Sequence, residues 1–192
     1  RYHHPYAAHR ALDLAWTSTQ VELRELKISP TEAAVFQEIA GYLFYANPAV
    51  RAPQAELLRN RGSQPALWAA GVSGDWPILL ATIDSPDGLP TLRRLLAAHR
   101  YWRRRGMMVD LVVLNTRPPS YLQELQDKIT ATIFSASDPG IIDQPGGVFA
   151  RRRDLLSADV VGMLRATARV HVPCDGRAVG RILESVLARG AM

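Results

Sequence analysis

The spacing of apolar side chains predicts two helices at the start of the chain. Residues 7–27 carry apolar side chains three and four positions apart, as on one face of a helix. A second helix is expected to begin after Ser29, because Pro30 suits a first helical position and Glu32 lies where a capping box places its carboxylate. This helix is expected to run to about Phe44. We therefore predict a helical linker or arm over residues 1–64.

From residue 65 onward, short apolar runs alternate with helical segments. Residues 78–83 and 108–114 lack polar alternation, which is typical of strands covered on both faces. Between them, residues 91–105 form an apolar helical stripe that includes His99 and Trp102. The alternation continues with expected helices at 120–134, 157–167 and 176–188 and expected strands at 148–150 and 168–172. Since this alternation favours parallel pairing, we predict an α/β fold over residues 65–192, with a small, mostly parallel sheet flanked by helices.

The composition is that of an ordinary globular domain. Hydrophobic residues make up 47% and charged residues 21% of the chain, which permits a packed core. No apolar run approaches the roughly 18–20 residues of a membrane span, and no signal peptide is recognisable, so we expect the chain itself to be soluble. Its start at Arg1 leads us to expect a fragment of a longer protein. Cys174 is the single cysteine, which excludes an internal disulfide.

The formal net charge of +5 raises the question of a nucleic-acid partner. Basic residues concentrate at 93–105 and 151–153, but no nucleic-acid-reading motif or set of interleaved aromatic residues accompanies them. Of the 23 basic residues only Lys27 and Lys128 are lysines, a bias that a GC-rich gene also produces. We therefore expect a solvated or domain-docking face and no nucleic acid.

The segment before the first predicted strand has the composition of a tight turn. Residues 71–75 read Gly-Val-Ser-Gly-Asp, and their two glycines can supply positive φ angles. A phosphate-binding loop would place its glycines after a strand and follow them with a lysine, and neither feature is present. Asp75 is expected to cap a local backbone N–H. A nucleophilic role for Ser73 would need a histidine and an acid nearby, and the sequence identifies neither.

Two tryptophans flank this turn and make it a candidate carbohydrate contact. If exposed, Trp68 and Trp76 could stack on the apolar face of a sugar ring, with Ser73 and Asp75 beside them. If buried, they would anchor the turn to the core. Because large aromatic residues are usually mostly buried, anchoring is the expectation.

A second candidate site lies at the ends of the predicted strands. In open α/β sheets ligands collect at the carboxyl ends of strands, where this chain carries Asp84, Asn115 and Arg117. Acid–base chemistry on a glycoside usually needs two opposed carboxylates, and here only one is identified. We therefore expect Asp84 and Asn115 to initiate turns. We predict no metal site at His3, His4 and His9, which lack ligands of suitable spacing, and no cofactor.

Several ordered passages resemble the cyclic β-1,2-glucan synthases. Residues 67–77 read LW, then GVSGD, then Pro77, which is similar to the family's passage LW-x-x-G-[IV]-SGD-x-P. Further similar passages lie at 14–24, 98–102, 109–115, 120–127 and 146–149. Within that family the similar segment joins a β-sandwich to the (α/α)6 barrel of a phosphorylase-like portion related to glycoside hydrolase family 94.

The resemblance implies a non-catalytic accessory or scaffold segment of a large glycosyltransferase. It implies a parent protein that makes β-1,2-glucan from UDP-glucose and cyclises it, anchored in the inner membrane with this part in the cytoplasm. Implied partners are other domains of the parent chain and β-1,2-glucan, and the helical arm could support a homodimer through an exposed apolar face. Two alternatives stay open, namely a small stand-alone α/β enzyme with its site at the strand ends and a basic anion- or nucleic-acid-binding module.

Overall fold

The computed structural model describes residues 5–60, 62–118 and 123–190. The helices are α1 Pro5–Glu25, α2 Pro30–Phe44, α3 Gln54–Arg59, α4 Gln64–Trp68, α5 Leu89–Arg104, α6 Glu124–Ala136, α7 Ala158–Thr167 and α8 Val179–Gly190. The strands are β1 Ile78–Ile83, β2 Asp110–Asn115, β3 Val148–Arg152 and β4 Val170–Pro173. Helix α6 begins four residues after the predicted start at Ser120, which lies outside the described residues.

Within the described ranges, the strands form one sheet of order β3-β2-β1-β4 in which every pair is parallel. Each expected strand is present: β1 has the predicted bounds, and the others differ from theirs by up to two residues. From β1 the chain winds through α5 and α6 to β3, and then returns through α7 to place β4 on the other side of β1. The predicted α/β class with a parallel sheet is confirmed.

Alternate side chains of β1 enter two hydrophobic cores on opposite faces of the sheet. Leu79, Ala81 and Ile83 pack with residues of α2, α5, α6 and α8. Ile78 and Leu80 pack on the other face with residues of α4 and α7. Because both faces are covered, the strand has no position that favours a charged side chain, and this explains its lack of polar alternation.

Helix α2 is part of the larger core although it lies in the segment predicted as an arm. Its start has the predicted capping box, with Ser29 and Glu32 bonding reciprocally and Pro30 at the first turn. Its inner face is tied to α5, because the Trp102 indole N–H donates to the Phe36 carbonyl over 3.0 Å. One hydrophobic core extends across the predicted boundary at residue 64, and helices lie on both sides of that boundary.

Helix α1 packs only through its last turns and the residues that follow. Leu23 and Leu26 are buried, whereas Leu12 and Trp16 are each 68% exposed. The predicted apolar stripe therefore divides into a buried end and an exposed end. No helix in the described part of the chain is both long and apolar enough to cross a membrane.

Ion pairs connect α1 to the arginine-rich end of α5 and connect α2 to Arg94 near the start of α5. The pairs are Glu22–Arg105, Glu25–Arg104 and Glu32–Arg94, each with an N–O distance of 2.7 Å. Exposed pairs of this kind contribute about 0–1 kcal/mol each, so the main effect of the first two is to orient α1 against α5. Much of the basic cluster at 93–105 is therefore used within the chain.

The link between α2 and α5 gives a first testable prediction. Trp102→Phe removes the indole donor and leaves a small void, and we expect it to lower the free energy of unfolding by about 1–2 kcal/mol. Trp16→Phe is the matched control, since the exposed Trp16 side chain should tolerate the same change within about 0.5 kcal/mol. Urea denaturation of both variants measures the difference. Equal stability of the two variants would contradict the assigned role of Trp102.

Candidate functional site

The turn that precedes β1 is built by two glycines and tied to α4. Gly71 and Gly74 have φ angles of 71° and 81°, in the left-handed region that glycine tolerates. The Trp68 indole N–H and the Gln64 amide both donate to the carbonyl oxygen of Ser73, over 3.3 and 3.2 Å. The predicted tight turn is therefore confirmed, and its geometry is fixed by side chains of the preceding helix.

The hydroxyl of Ser73 has a structural use in this turn. Its Oγ accepts a hydrogen bond from the backbone N–H of Asp75 over 3.2 Å. The expectation that the Asp75 carboxylate caps the turn was wrong, because Ser73 provides the cap and Asp75 the donor. The Asp75 side chain is thereby left exposed to solvent.

Both tryptophans of the turn present much of their surface to solvent. The side chain of Trp68 is 58% exposed and that of Trp76 is 40% exposed. The expectation of buried anchors was therefore wrong with respect to burial, although the N–H group of Trp68 does hold the turn. An exposed indole combines an apolar face with a polar N–H group, which suits contact with a ligand that is itself partly apolar and partly hydrated.

Trp76 and Asp75 also line a cleft with a volume of about 500 Å³. The cleft lies at the amino-terminal ends of β1 and β4, between the end of α2 and the turn. Three further side chains that line it were not identified from the sequence: Phe44, Arg51 and Arg169. They come from three separate parts of the chain, and no local pattern in the sequence connects them.

The predicted strand-end residues lie at the opposite, carboxyl edge of the sheet. Asn115 is buried, its amide donates to Gln126 over 3.1 Å, and its Oδ1 accepts the backbone N–H of Arg117 over 3.1 Å. Asn115 thus initiates the turn after β2, as expected. Asp84 and Arg117 are exposed. A strand-end site at these three residues stays a prediction.

The usual ligand crevice of such a sheet is filled by main chain. The winding reverses between β1 and β4, where a crevice at the carboxyl ends would be expected. A Cβ atom added at Gly88 would lie 2.3 Å from the carbonyl oxygen of Cys174, and one added at Gly176 would lie 2.7 Å from that of Asp87. The loops after β1 and β4 are therefore in direct backbone contact at this point.

A buried polar cluster supports the start of β2. The Asp110 carboxylate accepts the backbone N–H of Gly146 over 2.6 Å, and His99 Nε2 lies 2.9 Å from the Val109 carbonyl oxygen, to which it donates. Burial raises the pKa of Asp110 to about 6, and the charge of Asp75 acts in the same direction. Burial lowers the pKa of His99 to about 4. This cluster joins the start of β2 to the loop before β3.

Two other buried groups titrate away from their usual ranges. Burial lowers the pKa of His171 to about 4 and raises the pKa of the Cys174 thiol to about 12, which makes the thiol unreactive at neutral pH. Among the described residues, no three His, Cys, Asp or Glu side chains are grouped so as to hold a metal ion. His3 and His4 lie outside those residues.

The buried titrating groups predict a dependence of stability on pH. The pKa of Asp110 is about 6 in the folded state, against a usual value of 3.8. Between these two pH values the folded chain keeps a proton at Asp110 that the unfolded chain has lost. The contribution of Asp110 to stability therefore falls as the pH rises through this interval. Between pH ~4 and pH 6.5, His99 and His171 are neutral in the folded state but protonated in the unfolded chain. Their contribution to stability therefore rises as the pH rises through this interval. In the wild-type chain the contribution of Asp110 therefore offsets part of the contribution of the two histidines.

Asp110→Asn removes the titrating carboxyl group whose contribution to stability falls with rising pH. We expect the free energy of unfolding of this variant to rise from pH ~4 to pH ~6 more steeply than in the wild type, by up to about 1.4 kcal/mol per pH unit. Urea denaturation across this interval measures the slope, with Asp13→Asn on the exposed face of α1 as the control. The same slope in both variants would contradict the titration assigned to Asp110.

The comparison with known proteins gives one informative similarity. No protein-family model matches the chain. The chain is 37% identical over 170 residues to the cyclic beta-(1,2)-glucan synthase NdvB of Rhizobium meliloti (strain 1021). This similarity covers 88% of the chain and about 6% of the length of the relative. The chain is thus similar to a short segment of a cyclic β-(1,2)-glucan synthase, and the resemblance inferred from its ordered motifs is confirmed.

Proposed function

We propose that this chain is a non-catalytic accessory segment of a cyclic β-1,2-glucan synthase-like protein, and that it contacts β-1,2-glucan at the turn before β1. The observation that carries the proposal is the exposure of two tryptophans on either side of one hydrogen-bonded turn, in a chain similar to a segment of a glucan synthase. Aromatic rings stack on the apolar faces of sugar rings. The hydroxyl of Ser73 and the carboxylate of Asp75 lie between the two rings in the sequence and would complete the contact.

The non-catalytic part of the proposal is supported by how the polar groups are used. The Ser73 hydroxyl is bound to the backbone of Asp75, and the Asn115 amide is bound to Gln126. The Cys174 thiol is buried. These groups maintain turns and packing, which is the use expected of a scaffold.

The proposal extends to the parent protein. We propose a membrane-anchored glycosyltransferase that makes β-1,2-glucan from UDP-glucose and cyclises it, with this segment on the cytoplasmic side, beside a phosphorylase-like barrel. The exposed apolar stripe of α1, which includes Leu12 and Trp16, would pack against other domains of that chain. In isolation the same face would favour a homodimer.

A titration with linear β-1,2-gluco-oligosaccharides tests the glucan contact. The indole N–H signals of Trp68 and Trp76 are expected to shift in two-dimensional NMR spectra, whereas those of Trp16 and Trp102 should not. Trp76→Ala is expected to weaken binding about five- to tenfold, since a stacked ring contributes on the order of 1 kcal/mol. Trp16→Ala, which removes an even more exposed indole ring from α1, is the control.

Two results of this titration would contradict the proposal. The first is a titration in which no indole signal shifts, which would leave the segment as a structural connector. The second is an equal loss of affinity in Trp76→Ala and Trp16→Ala, which would indicate non-specific contact with exposed aromatic residues.

A further inference from the structure

We infer that the glucan chain extends from the turn into the cleft beside Trp76, and that Arg51 and Arg169 bind its hydroxyl oxygens there. This inference rests on the proposed glucan contact and identifies its ligand-binding residues. It places the ligand at the amino-terminal edge of the sheet, opposite the edge where such folds usually bind ligands.

The first argument is the shape and location of the cleft. Its volume of about 500 Å³ lies within the range of about 300–1,000 Å³ typical of small-ligand sites, so it has room for a short oligosaccharide. Trp76 and Asp75 belong to both the turn and the cleft lining. The turn and the cleft thus share these two residues, through which a bound chain would pass from one to the other.

The second argument is the pair of aromatic rings at the cleft. Phe44 lines it from the end of α2 and is 60% exposed, while Trp76 lines it from the turn and is 40% exposed. Each of these exposed rings offers an apolar face to a ligand in the cleft. Two such rings on one cleft provide apolar surface for successive sugar rings.

The third argument is the state of the two arginines. Arg169 is held in place by its backbone, whose N–H donates to the Ile78 carbonyl over 2.9 Å, while its side chain is exposed and has no partner among the described residues. Arg51 donates from Nη2 to the Ala166 carbonyl over 2.9 Å, which fixes its guanidinium at the cleft. Its Nη1 has no partner within the described ranges, and its Nε is buried and unbonded, at a cost to stability.

These donors have the chemistry that a polyhydroxylated ligand requires. Guanidinium groups donate to hydroxyl oxygens, and the Asp75 carboxylate accepts from hydroxyl protons. Elsewhere in the chain, arginines such as Arg94, Arg104 and Arg105 are paired with carboxylates. Arg169 differs from them in offering its full set of donors to solvent at the mouth of a cleft.

Variants of the two arginines test the inference with linear β-1,2-gluco-oligosaccharides as the probe. Arg169→Gln is expected to weaken binding about three- to tenfold, as for one lost hydrogen bond, without changing thermal stability, because the side chain has no structural partner. Arg51→Gln is expected to weaken binding by a similar factor. Arg93→Gln on the exposed face of α5 is the matched control and should bind as the wild type does.

The outcomes separate this inference from the proposed function. If the indoles of Trp68 and Trp76 shift but Arg169→Gln and Arg51→Gln bind as tightly as the wild type, the cleft assignment is overturned and the glucan contact stands. If no indole shifts, the glucan contact itself fails. Binding that falls steeply with salt and is displaced by inorganic phosphate would overturn the inference in favour of an anion site.

Discussion

The requirement that β1 be covered on both faces is the constraint on which the rest of the structure depends. Five of its six residues are buried, and their side chains alternate between two cores. Neither core can form from β1 and its neighbouring strands alone, so helices must lie on both sides of the sheet. The larger core draws in α2 from the preceding segment, and the Trp102–Phe36 hydrogen bond fixes how the two helices meet.

The same constraint places the candidate site. The turn before β1 must deliver the chain into a fully buried strand, and two positive-φ glycines with the Trp68–Ser73 hydrogen bond give it a fixed path. Trp76 and Asp75 are therefore held at the amino-terminal edge of the sheet. At the carboxyl edge, backbone contact between the loops at Gly88 and Cys174 fills the crevice at the winding reversal. The exposed polar and aromatic side chains of the candidate site therefore lie at the amino-terminal edge of the sheet, whereas related folds usually bind ligands at the carboxyl edge.

Charge has two different uses in this chain. Arg104 and Arg105 at the end of α5 are paired with carboxylates of α1, and Arg94 near its start is paired with Glu32 of α2. The two exposed pairs to α1 orient that helix more than they stabilise the fold. Arg51 and Arg169 are instead brought to one cleft by tertiary structure. The two basic clusters predicted from the sequence are thus partly neutralised by carboxylates within the chain.

Local chemistry in the sequence determined the elements. The unbroken apolar run of β1, the Ser29–Glu32 capping box and the glycines of the turn each act over a few residues, so their predictions could be made from the sequence and agree with the structure. The turn residues Trp68, Ser73, Asp75 and Trp76 could be identified for the same reason, since they are close in the sequence.

Burial and assembly were decided only by the tertiary structure. Helical periodicity gave Trp16 and Leu23 the same face, but only the end of α1 meets α5, so one is exposed and the other buried. The exposure of Trp68 and Trp76 depends on what packs beside the turn, and residue type alone favoured the wrong answer. Phe44, Arg51 and Arg169 meet at one cleft because the sheet order places β4 beside β1 and α2 above them, a relation between distant segments that no local pattern encodes.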